Sequence, residues 1–394
     1  MDYFLIKNGK IAADNGAGTA DVLMGNGKIL HISSDIARPT TRTVVYDAEG
    51  RYLLPGTIDC NNHSLSLQET ALAEATRTSI LSGCTTWLHP VTAANVEAFD
   101  AAASGLGTPT PNYGIHFLQD RFKAGDLAKI RRRILELGVP SIVVPFPNYN
   151  NFKFERIEML IEFAVSNNAV LVFDLCPKGA ESEYTGQLNK LTQALRFQRC
   201  RTAFLNVRYQ EELSAVENLS LANDTTCELR FVVDYEDKPQ SELHHLTPSM
   251  FCHTLKTHKW TFAGTCCLSQ APGRGSSDAN SDFVSRNSLA IIYNMLASTQ
   301  MTVSDLADVT STRAAQKFGL SPEKGNICVG ADADIVVWNA AETQNIYFSP
   351  SADYRKTLML NGKIDAVIMN AQLVLDDKLH EDNIAGRYCY RRIV

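Results

Sequence analysis

The sequence predicts a parallel (β/α)8 TIM barrel carrying a small β-sandwich built from both chain ends, and three observations predict it. Apolar strands broken by Asn-Gly pairs fill the first fifty residues, and a similar strand texture returns near the C-terminus. Between them, strand-like and helix-like runs alternate through a centre long enough, in a chain of 394 residues, for eight repeating units. Alternation of this kind argues for a parallel sheet, and at this length for a closed barrel. An open doubly wound sheet would also alternate, but the centre carries no glycine-rich phosphate loop.

Taken in order, residues 4–11 and 22–32 are apolar runs interrupted by Asn8-Gly9 and Asn26-Gly27, both read as hairpin turns. A helix over 69–81 precedes a strand at 84–88, and a helix over 127–137 leads to a strand at 141–144. Another helix over 154–166 leads to the strand 170–174, and further strands are expected at 202–207, 229–233 and 261–263. Residues 333–338 and 366–375 return to strand. Because chain ends often lie close together, residues 1–50 and 325–394 are assigned to one sandwich and 51–324 to the barrel.

Composition narrows the function. A hydrophobic share of 45% is enough to bury a substantial core, and a net charge of −6 without a basic run gives no reason to expect a nucleic-acid partner. The opening Met1-Asp2-Tyr3-Phe4 lacks the charged-then-apolar pattern of a signal peptide, and no apolar run is long enough to span a bilayer. The expectation is a soluble, cytoplasmic protein with no membrane partner. None of the ten cysteines forms a Cys-x-x-Cys pair, so neither a zinc ribbon nor a thioredoxin-type site is indicated.

Chemistry concentrates in the run from Leu54-Pro55-Gly56 through Ile58-Asp59 to His63, read as an apolar strand that carries its ligands at its end. Asn61 and His63 are two residues apart on it, so both side chains are expected to face the same side, into a barrel mouth. Neutral imidazole is a common ligand for a divalent metal, whereas the amide oxygen of Asn61 is a poor one for zinc.

Three segments resemble the amidohydrolase superfamily, specifically its dihydroorotase, hydantoinase and dihydropyrimidinase group. They are 54–63; 77–86, similar to the family's GTRAALAGGVTT; and 324–337, nearly its KGRIAVGADADLVV. The resemblance implies two metals held by two histidines on the first barrel strand, a carboxylated lysine, two further histidines and an aspartate. At those positions this sequence offers Asn61 and His63, Val143 for the lysine and Asp174 for the next histidine. It has no histidine around Leu205-Asn206-Val207-Arg208, and Thr265 or Cys266 stands for the aspartate that is both ligand and base. The dihydroorotase substrate arginine and asparagine correspond to Leu65 and Val91.

One imidazole cannot hold zinc tightly, and without a metal no water is activated near neutral pH. The leading expectation is therefore a metal-free, catalytically inactive dihydroorotase-like homologue without a cofactor, whose vestigial pocket comprises Asn61, His63, Val143, Asp174, Thr265 and Cys266. The resemblance then implies a structural role as a homo-oligomer or as a partner of aspartate transcarbamoylase in pyrimidine synthesis. The alternative is a cyclic-amide hydrolase with a rebuilt mononuclear zinc site of His63, Asp174 and Cys266, with Cys176 as a further sulfur. A third reading is a small-molecule sensor using the old pocket.

Plainer readings stand beside these. His63 is a hydrogen-bonded relic, Asp174 caps a turn, and the cysteines behave as small apolar core residues. His244-His245 is a surface loop, Gly273-Arg274-Gly275 a flexible one, and the sequon at Asn218 carries no meaning in a cytosolic protein.

Overall fold

The computed structural model describes residues 3–12, 18–66, 69–92, 109–119, 124–138, 141–147, 154–175, 181–220, 224–230, 243–264, 286–351 and 354–391. Both chain ends meet in one sheet. Its strands are β1 (Tyr3–Ile11), β2 (Gly18–Gly25), β3 (Lys28–Ser33), β4 (Val44–Asp47), β5 (Tyr52–Pro55) and, from the C-terminal side, β14 (Ile335–Ser351), β15 (Tyr354–Met369) and β16 (Gln372–Leu375). They run in the order β16-β15-β14-β5-β1-β2-β3, with β4 also on β1. The expected two-layer sandwich is thus a single hydrogen-bonded sheet. Lys28 bridges Asp332, just before β14, so the sheet curls back over a core that includes Phe4, Ile6, Met24, Ile335 and Ile368.

Turn chemistry explains the hairpins. Asn26 and Gly27 take φ of 54° and 77°, and Gly25 faces Lys28, which makes the two-residue turn that suits right-twisted strands. Asn370-Ala371 does the same between β15 and β16, with φ of 53° and 65°. Asn8-Gly9 corrects the expectation: β1 continues through it as a bulge, with Asn8 at φ 56° donating its N–H to Asp21 Oδ1 at 2.9 Å.

The central strands β6 (Thr57–Asp59), β7 (Cys84–Thr92), β8 (Asn112–Leu118), β9 (Ser141–Phe146), β10 (Val170–Leu175), β11 (Arg201–Val207), β12 (Thr225–Leu229) and β13 (Thr261–Ala263) form an eight-stranded sheet in sequence order. Every pairing in it is parallel. Helices Glu69–Leu81 and Phe154–Ser166 have the bounds that the apolar periodicity predicts. Strand β8, rich in Asn, Gly and His, was not anticipated, and β12 ends where the expected 229–233 strand begins. Residues 231–233 lie outside the described ones.

Closure is also corrected. Among the described residues β13 and β6 share no ladder and form the two ends of the sheet. The segment after the barrel spans the seam instead. Ser311 Oγ donates to Gly56 O at 2.7 Å, and Arg313 Nη1 donates to Thr261 O at 2.7 Å and Leu255 O at 2.9 Å. Ala314, Ala315 and Phe318 then pack into the barrel interior with Ile58, Val143, Val172, Leu205 and Phe262.

The two sheets are locked together by a buried polar node. Lys324 Nζ lies 2.5 Å from Asp334 Oδ2 and 3.0 Å from Asp332, and Asp334 also accepts from Asn112 Nδ2 on β8 and from Asn370 N, each at 2.9 Å. The C-terminal tail completes the wall. β8 pairs with β9 only at Phe117 and Leu118, and the open edge is taken by the tail through Tyr113 N to Arg387 O (3.0 Å) and Cys389 N to Tyr113 O (2.7 Å). Among the described residues no helix is long and apolar enough to cross a membrane.

Candidate functional site

Parallel strands deliver all their C-terminal ends to one face, so the residues at those ends compose the barrel mouth. At β6 the strand stops at Asp59, and Asn61 and His63 lie on the following turn rather than on the strand itself. Asp59 organises that turn. Buried to 1% exposure, it accepts from Asn61 N at 3.1 Å and from Asn62 Nδ2 at 2.8 Å, while Asn62 Oδ1 accepts from Ser64 N at 2.8 Å. His89 Nδ1 meets Asn62 O at 2.6 Å, and its ring stands edge-on to His63.

The other side of the mouth is built by β10, β11 and β12. The ladder of β11 with β12 shifts register between Phe204 and Val207, and Asn206 takes φ of 64°, a conformation that asparagine tolerates well. This turns its carboxamide toward the mouth, where Nδ2 donates to Asp174 Oδ1. An acceptor there fixes the amide's orientation, because the reverse placement would set two oxygens against each other. Asn206 Oδ1 is buried and has no hydrogen-bond partner among the described residues.

Glu228 lies beneath it, 1% exposed, accepting from Asn206 N at 3.0 Å, with Arg230 Nη2 at 3.7 Å. Gly264 makes room, since a Cβ there would come within 3.0 Å of Glu228 Oε1. Burial raises the Glu228 pKa against the opposing pull of Arg230. Burial lowers that of His63, while Asp174 and Asp59 pull it back up and Arg230 adds to the lowering. The mouth therefore holds His63, Asp59, Asp174, Asn206, Glu228 and Arg230 within one electrostatic neighbourhood.

Among the expected site residues, Asn61, His63 and Asp174 come to the mouth. Val143 is 1% exposed within the barrel's apolar interior and offers no donor. Leu65 packs against the cluster of Leu72, Cys84, Trp87 and Tyr113, and Val91 is buried in the outer core. Thr265, Cys266, Cys176 and Gly273-Arg274-Gly275 lie outside the described residues. His244 is exposed on the surface, where Nδ1 meets Glu211 Oε1 at 2.7 Å, and His245 lies against the Tyr209 ring.

The metals implied by the resemblance can be tested against these donors. Among the described residues no three His, Cys, Asp or Glu side chains assemble in a way that could hold an ion. The resemblance puts Asn61 where an imidazole would be needed, and an amide oxygen is a poor zinc donor, so the described donors do not fit a two-metal centre. Sequence reasoning missed Asn206, Glu228 and Arg230. For the last two a signal was present: Glu228 and Arg230, two residues apart around Leu229, are charged residues sharing one face at the end of a buried strand.

Comparison with known proteins places these features in context. The model of the amidohydrolase family matches residues 276–370. D-hydantoinase of Geobacillus stearothermophilus is 24% identical over 95% of this chain and 93% of its own length. Dihydropyrimidinase of Arabidopsis thaliana is 21% identical over 95% of this chain and 82% of its own. Among solved structures, dihydropyrimidinase from Brevibacillus agri superposes with a TM-score of 0.79 at 19% identity, covering 99% of both chains. D-hydantoinase from Thermus sp. gives 0.81 at 17% identity, covering 98% of this chain and 99% of that one. At these identities the structural likenesses establish the fold.

Proposed function

Since the chain is a dihydropyrimidinase-like member of the amidohydrolase superfamily, we propose that its barrel mouth takes a cyclic amide of the hydantoin or dihydropyrimidine class and hydrolyses the ring C–N bond. The observation that carries this reading is Asn206 Oδ1, a buried acceptor at the mouth without a donor among the described residues. Leaving such a group unsatisfied costs about 1–3 kcal/mol, which a ring N–H would return. Arg230 supplies a cation for the carbonyl oxygen as it gains charge. His63, kept neutral by burial, accepts a proton from the attacking water. Glu228, whose protonated form burial favours, donates one to the departing nitrogen. Water adds to the carbonyl carbon, the C–N bond breaks, and a ureido acid results. No step runs through a metal, because the described donors do not fit one.

A second reading, a barrel kept for its shape and working as a homo-oligomer or as a partner of aspartate transcarbamoylase, is favoured by that same lack of a metal-holding set. Incubating the purified protein with hydantoin and with dihydrouracil separates the two. The expected result is a ureido acid detected by mass spectrometry and lost in His63→Ala and Asn206→Leu. Thermal stabilisation by the rings without turnover would replace hydrolysis with sensing. Neither turnover nor stabilisation would overturn the cyclic-amide reading and leave co-purification with the transferase as the next measurement. One tightly held metal per chain, lost in His63→Ala, would move the chemistry to a mononuclear site of His63, Asp174 and Cys266.

A further inference from the structure

A second cleft, of about 340 Å³, opens where the outer barrel helices meet the long β14–β15 hairpin. Its walls come from the helix Glu69–Leu81, the start of the helix Ser288–Ala297, β14, β15 and the segment following β16. We propose that this cleft binds a small organic anion, one carrying a carboxylate or phosphate on an apolar body.

Three independent features point to that chemistry. The first is Trp338, which lines the cleft at 1% exposure and whose indole N–H meets no acceptor among the described residues. A buried indole N–H ordinarily finds a partner, and an anionic oxygen is the strongest partner available. The ring has been given its place deliberately by the backbone. Gly362 stands at φ 90° where any Cβ would come within 2.1 Å of Trp338 Cζ2, and Tyr293 braces the ring edge-on at 5.4 Å between centroids.

The second feature is charge. Arg77, Arg286, Lys363 and Lys378 line the cleft against two carboxylates, Asp376 and Asp377. Glu74 answers Arg286 at 2.5 Å and Glu342 answers Lys363 at 3.3 Å, while Asp376 is engaged by His380 Nε2 at 3.0 Å. The third is the ten-residue helix Ser288–Ala297, whose positive end opens onto the same space through Asn287, Leu289 and Ala290. Leu81, Ile364 and Leu379 supply the apolar part of the lining.

The chain has three tryptophans, so protein labelled with 15N at tryptophan gives three indole N–H signals that report directly on the group in question. Trp338→Phe assigns its signal. Should that variant not fold, Trp260→Phe and Ser79→Ala assign the other two, since Trp87 Nε1 donates to Ser79 Oγ. Titrating the full chain with inorganic phosphate and with benzoate, at ionic strength held constant with chloride, is expected to move the Trp338 signal saturably. Exposed Arg77→Met should weaken the response roughly tenfold, the loss of one charge-assisted contact. A larger response to phosphate or to benzoate identifies which anion class the cleft prefers. A Trp338 signal unmoved by both anions, moved equally by chloride, or unaffected by Arg77→Met would overturn the proposal.

Discussion

Replacing Lys324 by Met removes a cation from the node that joins the two sheets. Lys324 and Asp334 side chains are 4% and 6% exposed and 2.5 Å apart, and Asp334 is held further by Asn112 and Asn370. Methionine fills the same space, so packing changes little and the effect isolates charge. Asp332 and Asp334 are left facing each other without their shared cation. Breaking a buried pair by removing one member costs about 3–5 kcal/mol, because the remaining charge stays desolvated. At roughly 2.1 cal/mol/K of unfolding entropy per residue, a cooperative chain of 394 residues would lose about 4–6 °C in Tm. Calorimetry of Lys324→Met, Asp334→Asn and the double variant measures this, with Lys259→Met as the control because that side chain is 74% exposed. The double variant should be less destabilised than the sum of the singles by at least about 1 kcal/mol, since the two residues act on one another. Additive losses, or a Lys324→Met shift no larger than that of Lys259→Met, would refute the reasoning.

Other outcomes follow from the same structure. Asn206→Leu should abolish stabilisation by hydantoin in a thermal-shift assay and lower the unliganded Tm by only a few degrees, through the lost hydrogen bond to Asp174 and a branched side chain at positive φ. His89 is buried with its pKa lowered to about 4, so the unfolded chain binds a proton that the folded one refuses as pH falls from 6.5 to 4. Urea midpoints should therefore show full stability above pH 6.5 and a loss of about 1.4 kcal/mol per unit below it from this group, reduced in His89→Gln. His116, also lowered by burial, adds in the same direction. Arg313→Met should open the barrel seam, with a loss of about 2–4 kcal/mol by chemical denaturation, because its guanidinium serves carbonyls of Leu255, His258 and Thr261. Gly362→Ala should lower the Tm and perturb tryptophan fluorescence, since its methyl group would strike the Trp338 ring.

Much of the fold was legible because it rests on local patterning. Apolar periodicity marked the helices Glu69–Leu81 and Phe154–Ser166 to the residue, and Asn26-Gly27 marked its hairpin through the φ values those residues accept. Asn8-Gly9 has the same composition yet forms a bulge, because β1 is held on both sides by β2 and β4 and its pairing outweighs a turn preference. Strand β8 escaped notice because its partners are remote: the tail residues 387–389 and Asn370 satisfy its polar groups from more than 250 positions away. The motif at 324–337 was recognisable in sequence, but its work was not, since Asp334 reaches Asn112 across 222 residues.

The candidate site divides along the same line. Residue types alone led to the expectation of a mouth around His63 and Asp174 without a two-metal ligand set, and the structure brings those two residues to the barrel mouth. Only the tertiary structure brought Asn206, Glu228 and Arg230 to them, through a register shift in β11 and the closeness of Gly264. The same packing left Trp338 with a buried N–H in a cleft that Arg77 and Lys378 also line. Sequence carries the preferences of each segment for its own conformation. Burial, the unpaired buried atom and the shift in pKa arise from which segments meet, and that is decided by packing across the whole chain.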